Sequence, residues 1–384
     1  MSFFKGQQIL LMTALTPGSG YGADGVALAQ LLELEGAVVH LDPSAVGVPL
    51  PMDVAKMLAR PRPANFDMAL THADPMSLHM PAHVANRIGR TVAWTMWEFG
   101  SYLGEEFEPA LSTRLQGFDD VLGYTDLTTK VTAPYAPQAR HGTIMGGYQA
   151  GLWEPKETTP LRRWDADPFR YGMVITNQRK GWPAALSAFL TVKEEHPTEF
   201  RAELHLKTNQ LLVTPQIHDP RNGVYVHHEA WSHEQMLSFY GSLHCLVAPS
   251  MGEGKHLPPL EAATTGCPSI LSACAGHTDW ASDDIAYLVP GVTSERDPVR
   301  RPGQTAFYVD DRELADAMWA AYRDRATARL KGEQAASMVP AMLDWPRVLE
   351  RVGHWLEAAP ARPRPIQEIA EPADALTAEL WAAP

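Results

Sequence analysis

The chain has 384 residues, of which 32 are basic and 45 acidic, and its formal net charge is −13. This length predicts two or three domains at about 150 residues each, and a hydrophobic content of 45% excludes a wholly disordered chain. A strongly negative charge does not favour a nucleic-acid partner, although it leaves room for a local basic groove. The longest apolar runs, such as Ile9–Met12, are too short to cross a membrane. Three cysteines cannot form a disulfide framework, which predicts a cytoplasmic protein.

The first part of the chain has the pattern of a parallel α/β domain. Ile9–Leu15 is an apolar run that leads into a glycine-rich turn, helical spacing then continues to Gly36, and Val38–Leu41 is a second apolar run. This order predicts a strand, a helix and a second strand of a parallel sheet. Further strands are predicted at Phe66–Thr71, Arg90–Thr95 and Val121–Tyr124. Residues 1–155 are therefore predicted to form one Rossmann-like domain, followed by a polar linker at 156–168.

The pattern starts again after the linker. The strands predicted in this second series are Phe169–Thr176, Ala202–Lys207, Val224–His227, Cys245–Pro249 and Ser269–Ser272. The predicted helices are Pro183–His196, one that begins at Pro259, Leu314–Lys331 and Trp345–Ala358. Strands that alternate with helices twice over predict an α/β protein with two doubly wound, Rossmann-like domains facing a central cleft. The second domain is predicted at 169–340, and the Pro/Ala-rich residues 359–384 are predicted to be a loose tail.

The densest chemical signal lies between Val247 and Ile270. A predicted strand ends there in a glycine-rich turn, and a helix opens at Pro258, a residue type favoured in the first turn. Backbone N–H groups at such a turn and helix start suit a diphosphate. Glu253 and Glu261, eight positions apart, do not suit a phosphate, but each carboxylate can accept hydrogen bonds from sugar hydroxyls. The alternative for either residue alone is a surface or first-turn glutamate.

This segment resembles the Glu-x7-Glu signature of retaining nucleotide-sugar glycosyltransferases of the two-Rossmann-domain (GT-B) fold, in particular family four. The resemblance implies that Glu253 is the catalytic-site residue that contacts the transferred sugar and that Glu261 binds the nucleotide ribose. It also implies that the helix at 341–358 crosses back to the first domain. The usual aromatic-glycine pair is replaced by Lys255-His256. Donor-binding roles are also expected for Gly254, Lys255, His256 and Leu257.

A cationic segment lies where the family has an Arg-Lys-Gly sequence at the start of a helix in the second domain. Here it reads Gln178-Arg179-Lys180-Gly181-Trp182. Two cations at a helix start oppose the helix dipole, so an anionic ligand would explain them, and a solvated basic turn is the alternative. We expect Arg179, Lys180 or Lys207 to stabilise the leaving diphosphate, with Arg179 and Lys180 in catalytic roles. The resemblance places His227 beside the nucleotide base.

The first domain offers weaker signals at the ends of its predicted strands. Gly18, Gly20 and Gly22 form a glycine-rich turn that faces the donor or acceptor in the family, although any Rossmann domain can have such a turn. His72 follows a strand and is expected to position the sugar or acceptor in catalysis; a core or surface histidine is equally compatible with the sequence. Trp97 and Glu98 resemble an aromatic-glutamate segment on the acceptor side. Their alternative is a core aromatic followed by a helix-start glutamate.

Other enzyme classes fit less well. No metal site is expected, because the adjacent residues of His227-His228-Glu229 would point to opposite faces of a strand. A serine-hydrolase elbow and the dinucleotide Gly-x-Gly-x-x-Gly spacing are both absent from the sequence. The expected function is retaining, metal-independent transfer of a hexose from a UDP- or GDP-sugar, with no other cofactor. A catalytically silent sugar-nucleotide-binding or scaffolding protein is the alternative.

The acceptor and the assembly state are left open by the sequence. A glycan or small metabolite, a protein side chain and a hydroxymethylated DNA base are all compatible acceptors. Lys255-His256 and the lack of the family's aspartate near Gly146-Gly147-Tyr148 indicate a divergent branch, for which a viral origin is one explanation.

Overall fold

The computed structural model describes residues 2–16, 20–80, 87–98, 108–209, 217–294 and 305–359. These residues form two compact units. The first unit contains the described residues up to Trp97, together with 108–147 and 345–359, and the second contains Glu98 and the described residues from Tyr148 to Asp344. The predicted tail at 359–384 lies outside the described residues except for Ala359.

The first unit is built on a parallel sheet. Its strands are β1 (Gln8–Leu15), β2 (Val38–Leu41), β3 (Ala45–Val46), β4 (Phe66–Ala73), β5 (Ile88–Thr95), β6 (Asp120–Gly123) and β7 (Arg140–Thr143). Their order is β2-β1-β4-β5-β6-β7, and β3 pairs with the end of β1. The helices between them are α1 (Gly20–Leu34), α2 (Met52–Leu58), α3 (Glu108–Leu115) and α4 (Asp126–Thr132). Continuous apolar runs such as β1 fit a parallel sheet, because both of its faces are covered.

The last described helix, Trp345–Glu357, completes the first unit. Trp345, Val348 and Leu356 are buried in the same core as the strands of the first sheet. Arg90 holds the carboxyl end of this helix, because its side chain donates to the Leu356 carbonyl at 2.6 Å. The same guanidinium forms an ion pair with buried Asp120 at 2.7 Å. Cations are favourable at the negative end of a helix. The predicted return of this helix to the first unit is confirmed.

The second unit contains the other parallel sheet. Its strands are β8 (Phe169–Ile175), β9 (Ala202–Thr208), β10 (Val224–His227), β11 (Cys245–Ala248), β12 (Ser269–Ser272) and β13 (Ala286–Val289). They lie in the order β10-β9-β8-β11-β12-β13, and β14 (Gly291–Ser294) pairs antiparallel with β15 (Ala306–Val309). Numbered from β8, this is the 3-2-1-4-5-6 order of a Rossmann sheet. The predicted α/β class with two Rossmann-like sheets is confirmed.

The helices of the second unit cover both faces of its sheet. They are α5 (Trp182–Glu195), α6 (His233–Ser242), α7 (Leu257–Thr264), α8 (Asp311–Arg323) and α9 (Arg325–Leu343), and the helix Trp345–Glu357 of the first unit is α10. The two ends of the second unit meet, because the Tyr148 amide donates to the Leu343 carbonyl at 2.9 Å. None of the helices that the structure describes is both long and apolar enough to span a bilayer.

The prediction of one helix over Leu314–Lys331 is wrong. Helix α8 ends at Arg323 and α9 begins at Arg325, with Asp324 between them. The Asp324 side chain accepts a hydrogen bond from the Thr327 amide at 3.0 Å, so it caps the second helix and fixes the break. The glycine-rich turn of the first unit is also shorter than predicted, since Gly20 and Gly22 already belong to α1. Gly18 lies outside the described residues.

Candidate functional site

The second sheet reverses its strand order between β8 and β11. In open α/β sheets ligands bind at such a point, outside the carboxyl ends of the strands. The turn Gln178–Lys180 follows β8, and the segment 249–256 follows β11. The two loops are hydrogen bonded to each other, because the Met251 amide donates to the Arg179 carbonyl at 2.8 Å. The cationic segment and the glutamate motif therefore share one place in the fold.

Glycine is required where these two loops approach. Gly181 has a φ of 75°, in the left-handed region, and a Cβ at this position would collide with the Pro249 carbonyl oxygen. Gly276 also has a positive φ, of 83°, and a Cβ there would collide with the Glu253 carbonyl oxygen. Only glycine combines this backbone conformation with so close an approach. Both glycines bring neighbouring loops against the Glu253 segment.

Glu253 lies at the centre of a buried charged cluster and is 2% exposed. Lys180 Nζ donates to Glu253 Oε1 at 2.6 Å, and Arg179 Nη1 lies 3.1 Å from Glu253 Oε2. Ser250 Oγ donates to Oε1 at 2.5 Å. Arg179 also donates to the Gly252 carbonyl, which joins its side chain to the turn that carries Glu253. Both carboxylate oxygens thus have protein donors.

The charges of the cluster keep Glu253 ionised. Burial alone would raise the pKa of the Glu253 carboxyl, but the charges of Arg179 and Lys180 lower it well below its usual range. Burial lowers the pKa of Lys180, and the charge of Glu253 opposes that shift. Arg179 makes a second ion pair, in which its Nη2 lies 2.9 Å from Glu98 Oε2. The cluster therefore combines two cations with one fully buried and one partly exposed carboxylate.

His256 continues the cluster on the other side of Glu253. Its Nδ1 lies 2.8 Å from Nε2 of His277 and 3.5 Å from Glu253 Oε1. His277 is fully buried behind it, where its Nδ1 lies 2.9 Å from the Ser272 carbonyl oxygen. Burial is the largest cause that lowers the pKa of both histidines, and the Lys180 charge adds to it. Both rings are therefore neutral at neutral pH.

Glu261 lies inside α7, apart from the charged cluster. Tyr240 donates to Glu261 Oε2 at 2.7 Å. Burial raises the pKa of the Glu261 carboxyl to about 7, against the lowering effects of the Tyr240 hydrogen bond and the Lys255 charge. Gly254 and Lys255 are buried, and Leu257 begins the helix half-buried. The motif residues thus form two carboxylate centres, one with strong cationic partners and one with a phenol.

Lys207 and His227 lie on the opposite side of β8 from the motif. The Lys207 ammonium donates to the Glu229 carbonyl at 2.6 Å and lies 4.9 Å above the Trp231 ring. His227 Nε2 lies 3.1 Å from His205 Nδ1, and burial, followed by the neighbouring His205, lowers the pKa of His227. The structure therefore joins Arg179 and Lys180 to the motif, and gives Lys207 and His227 different partners.

His72 lies at the reversal point of the first sheet, inside the core of the first unit. It is 0% exposed, with Nδ1 3.0 Å from Thr13 Oγ1 and Nε2 2.7 Å from the Tyr124 hydroxyl. Tyr124 also donates to Asp24 at 3.2 Å. Because both ring nitrogens have protein partners, this geometry fits a core histidine. The role of His72 in positioning the sugar or acceptor stays a prediction.

The two residues predicted on the acceptor side have different environments. Trp97 is 6% exposed in the first unit, where its amide donates to Thr128 Oγ1 at 3.0 Å. This position agrees with the alternative of a core aromatic. Glu98 belongs to the second unit, where it forms the ion pair with Arg179. Among the described residues, no group of three His, Cys, Asp or Glu side chains is placed to hold a metal ion.

Three residues of the site received no role from the sequence. Ser250 and His277 contact Glu253 and His256, and Tyr240 contacts Glu261. The sequence could have indicated Ser250, because this residue lies in the same glycine-rich turn as Glu253. The other two come from outside that turn, so only the folded chain brings them to the motif.

Comparisons with known proteins define the fold class. No protein-family model matches the chain, and no curated protein matches its sequence. Solved structures do match. Sucrose-phosphate synthase from Thermosynechococcus elongatus is 16% identical, with 92% of this chain and 98% of that chain covered and a TM-score of 0.60. The likeness extends over both units and shows the two-domain, Rossmann-like GT-B fold.

Two further structures show the same likeness. HepE from Anabaena, in complex with UDP, is 13% identical, covers 92% of this chain and 100% of its own, and has a TM-score of 0.62. HepE has also been solved with UDP-glucose. A glycosyltransferase from Rickettsia africae is 12% identical, with 91% and 97% coverage and a TM-score of 0.63. These similarities confirm the predicted GT-B fold.

Proposed function

We propose that the protein is a retaining glycosyltransferase that moves a hexose from a UDP- or GDP-sugar to a hydroxyl acceptor, without a metal ion. One observation carries the proposal. The buried Glu253, held by Arg179 and Lys180, lies at the strand-order reversal of the second sheet, eight residues before Glu261. This is the residue pattern of the Glu-x7-Glu signature, at the position where open α/β sheets bind ligands.

The charge distribution supports an anionic donor. Arg179, Lys180 and Lys255 lie within or beside the motif, and the buried Glu253 carboxylate pairs with Arg179 and Lys180. Helix α7 adds its amino-terminal dipole at Leu257. A diphosphate brings compensating negative charge to such a place. HepE, which shares the fold, binds UDP and UDP-glucose, and this supports a uridine nucleotide as the first donor to test.

The surroundings of Glu253 favour one retaining mechanism over another. A glutamate nucleophile needs an oxygen directed at the anomeric carbon. Glu253 Oε1 accepts from Lys180 and Ser250, and Oε2 is paired with Arg179. We therefore propose that Glu253 orients the cations and the sugar. The acceptor hydroxyl attacks the anomeric carbon on the face from which the diphosphate leaves, and the departing phosphate oxygen takes the hydroxyl proton. Arg179 and Lys180 then stabilise the negative charge that develops on the leaving phosphate.

Donor binding and hydrolysis test the proposal. The protein is screened by thermal shift against UDP-glucose, UDP-N-acetylglucosamine and GDP-mannose, and released UDP or GDP is then measured without an acceptor. We expect one donor to raise the melting temperature and to be hydrolysed slowly by the protein. Stabilisation without any release would instead indicate the silent binding protein, and the absence of binding by every donor would contradict a nucleotide-sugar site.

The stereochemistry has a separate test. If UDP-glucose, an α-linked donor, is hydrolysed, proton NMR of the freshly released glucose distinguishes its anomers before they interconvert. Retention predicts the α-anomer, and initial release of the β-anomer would show inversion. A chelator control is included, because the proposed mechanism predicts the same rate with and without EDTA.

A further inference from the structure

His256 adopts an unusual backbone conformation. Among the residues that the structure describes, it is the one non-glycine residue with a positive φ, 67°, and it directly precedes α7. A residue with a Cβ reaches this region only at a cost, because the Cβ crowds the following carbonyl. Such conformations persist where the surroundings hold them, and they concentrate at functional sites. The side chain of His256 is 3% exposed.

The partners of His277 fix where its proton lies. Its Nδ1 is 2.9 Å from the Ser272 carbonyl oxygen, which can only accept, and 3.2 Å from Ser272 Oγ. The Cys274 thiol lies farther away, at 3.9 Å, and can donate to the Ser250 carbonyl instead. The Ser272 hydroxyl donates its own proton to the Ser250 carbonyl at 2.6 Å, so it too can only accept from His277. His277 Nδ1 must therefore carry the hydrogen. In the neutral ring, Nε2 is then a lone-pair acceptor.

This assignment determines the proton of His256 as well. His256 Nδ1 lies 2.8 Å from the lone pair on His277 Nε2, so Nδ1 must be the donor. The Glu253 carboxylate, 3.5 Å from the same nitrogen, favours a hydrogen there too. The Nε2 of neutral His256 is consequently an acceptor, and it has no hydrogen-bond partner within the described part of the chain. Burial and the charges of Lys180 and Arg179 oppose protonation of the ring.

The lone pair on His256 Nε2 determines which chemical groups can bind to this nitrogen. A hydroxyl group can donate a hydrogen bond to Nε2, whereas a fully ionised phosphate oxygen can only accept and would be repelled. We propose that His256 is a specificity residue that recognises a hydroxyl of the transferred sugar, and that His277 is a positioning residue that keeps the proton of His256 on Nδ1. This inference rests on the proposed function. It assigns the Lys255-His256 departure from the family sequence to recognition of the donor sugar.

The proton arrangement is testable without any activity. Nitrogen-15 NMR of the histidine rings in the ligand-free protein at pH 7 is expected to show His256 protonated on Nδ1 and unprotonated on Nε2. In the variant His277→Leu, the acceptor for Nδ1 is lost, and we expect a mixture of tautomers at His256. His277→Gln, whose side-chain oxygen can accept, is the conservative control and should restore the Nδ1–H form. A wild-type His256 that carries its hydrogen on Nε2, or on both nitrogens, would overturn the inference.

Recognition of the sugar is tested by comparing two ligands. UDP-glucose and UDP are titrated by calorimetry, or GDP-mannose and GDP if the protein prefers guanosine. His256→Gly suits this test because glycine adopts a positive φ readily and should keep the loop folded. Loss of one hydrogen bond to this acceptor predicts about tenfold weaker binding of the nucleotide sugar, with unchanged binding of the nucleotide.

The outcomes separate the two hypotheses. An equal loss of affinity for both ligands, or no loss for either, would overturn the specificity role of His256. If the wild-type protein binds no nucleotide sugar at all, the proposed function fails, whereas the NMR result still decides whether His277 sets the tautomer of His256. Because His277 acts through His256, His277→Leu should also reduce the preference for nucleotide sugar over nucleotide, and His277→Gln should recover it.

Discussion

The two units have the same kind of sheet but differ in what occupies the strand-order reversal. In the second unit this position contains ions, with Glu253 between Arg179 and Lys180. In the first unit, His72 and Tyr124 form a buried hydrogen-bonded network there with Thr13 and Asp24. The same topology thus supports a charged centre in one unit and an internally satisfied polar core in the other.

This difference indicates that the two units, although they share a sheet topology, have different roles. Charged groups that are buried beside one another are costly, and removing one partner leaves the others uncompensated. A polar network whose members all have partners mainly stabilises the unit that contains it. We therefore expect substitutions in the second unit to affect donor chemistry first, and substitutions in the first unit to affect stability first.

Glu253→Gln should have the largest effect. It keeps the shape of the side chain but removes the charge that Arg179 and Lys180 share, so donor hydrolysis should fall by about 100- to 1,000-fold. The measurement is the rate of nucleotide release at saturating donor. Glu333→Gln is a control, because Glu333 forms only an exposed ion pair with Arg329 and should change neither rate nor stability measurably. A Glu253→Gln rate within threefold of wild type would contradict the central role of the charged cluster.

Lys180→Ala should have the second-largest effect on donor hydrolysis. If Lys180 stabilises charge that develops only during the reaction, turnover falls by about 100-fold and donor affinity by much less. Steady-state kinetics with the preferred donor separate the two quantities. Equal losses in both would mean that Lys180 binds the ground state and the transition state alike.

Tyr124→Phe tests whether the polar network of the first unit mainly stabilises that unit. It removes the hydroxyl that contacts both His72 and Asp24, and leaving these buried groups without that partner should lower the free energy of unfolding by about 1–3 kcal/mol. Urea unfolding measures the loss, and calorimetry with the donor measures binding. A weaker donor affinity in the folded variant would show that the first network also serves the donor site.

Glu261→Gln should give the smallest effect, one that depends on pH. Because the folded protein holds the Glu261 pKa at about 7, above its usual value of 4.5, wild-type stability declines as pH rises between these values. The carboxyl is partly exposed, so the variant should gain only about 1 kcal/mol over wild type at pH 8 and nothing at pH 4.5. Melting temperatures across this range provide the comparison.

Glu261 should also make the affinity for a nucleotide sugar depend on pH. An ionised Glu261 accepts ribose hydroxyls better than a neutral carboxylic acid does. Wild-type affinity for a nucleotide sugar should therefore increase as pH rises through 7, and Glu261→Gln should remove that dependence. An identical pH profile in the two proteins would exclude Glu261 as the ribose ligand.

Much of the fold could be predicted from local sequence. Strands such as Val38–Leu41 and Ser269–Ser272 have the predicted bounds, because apolar runs between turns mark buried parallel strands. Strand β7, Arg140-His-Gly-Thr143, has no apolar run and only part of its surface is buried, so its pairing with β6 gave no sequence signal. The helix break at Asp324 had only a weak sequence signal. Asp324 followed by Thr327 is compatible with a helix cap, but the apolar residues around it continue with helical spacing.

The site was predictable only in part. The spacing of Glu253 and Glu261 is local, and the turn with Arg179 and Lys180 is conspicuous by its charge. Their contact is not local, since Lys180 and Glu253 are 73 residues apart and meet because β8 and β11 are neighbours. The pairing of His256 with His277 likewise depends on β12 lying beside β11. Strand order, which single-sequence patterns do not contain, decided which side chains meet.

The return of α10 has a consequence for how the chain folds. The core of the first unit needs Trp345 and Leu356, although its last strand ends at Thr143, so the second unit is an insertion within the first. The hydrogen bond between Tyr148 and Leu343 holds the two ends of that insertion together. Once the insertion has folded, the entropy cost of closing the first unit is that of a short connection rather than of about two hundred free residues. We therefore expect the inserted unit to fold first during synthesis, and the unit that starts the chain to finish last.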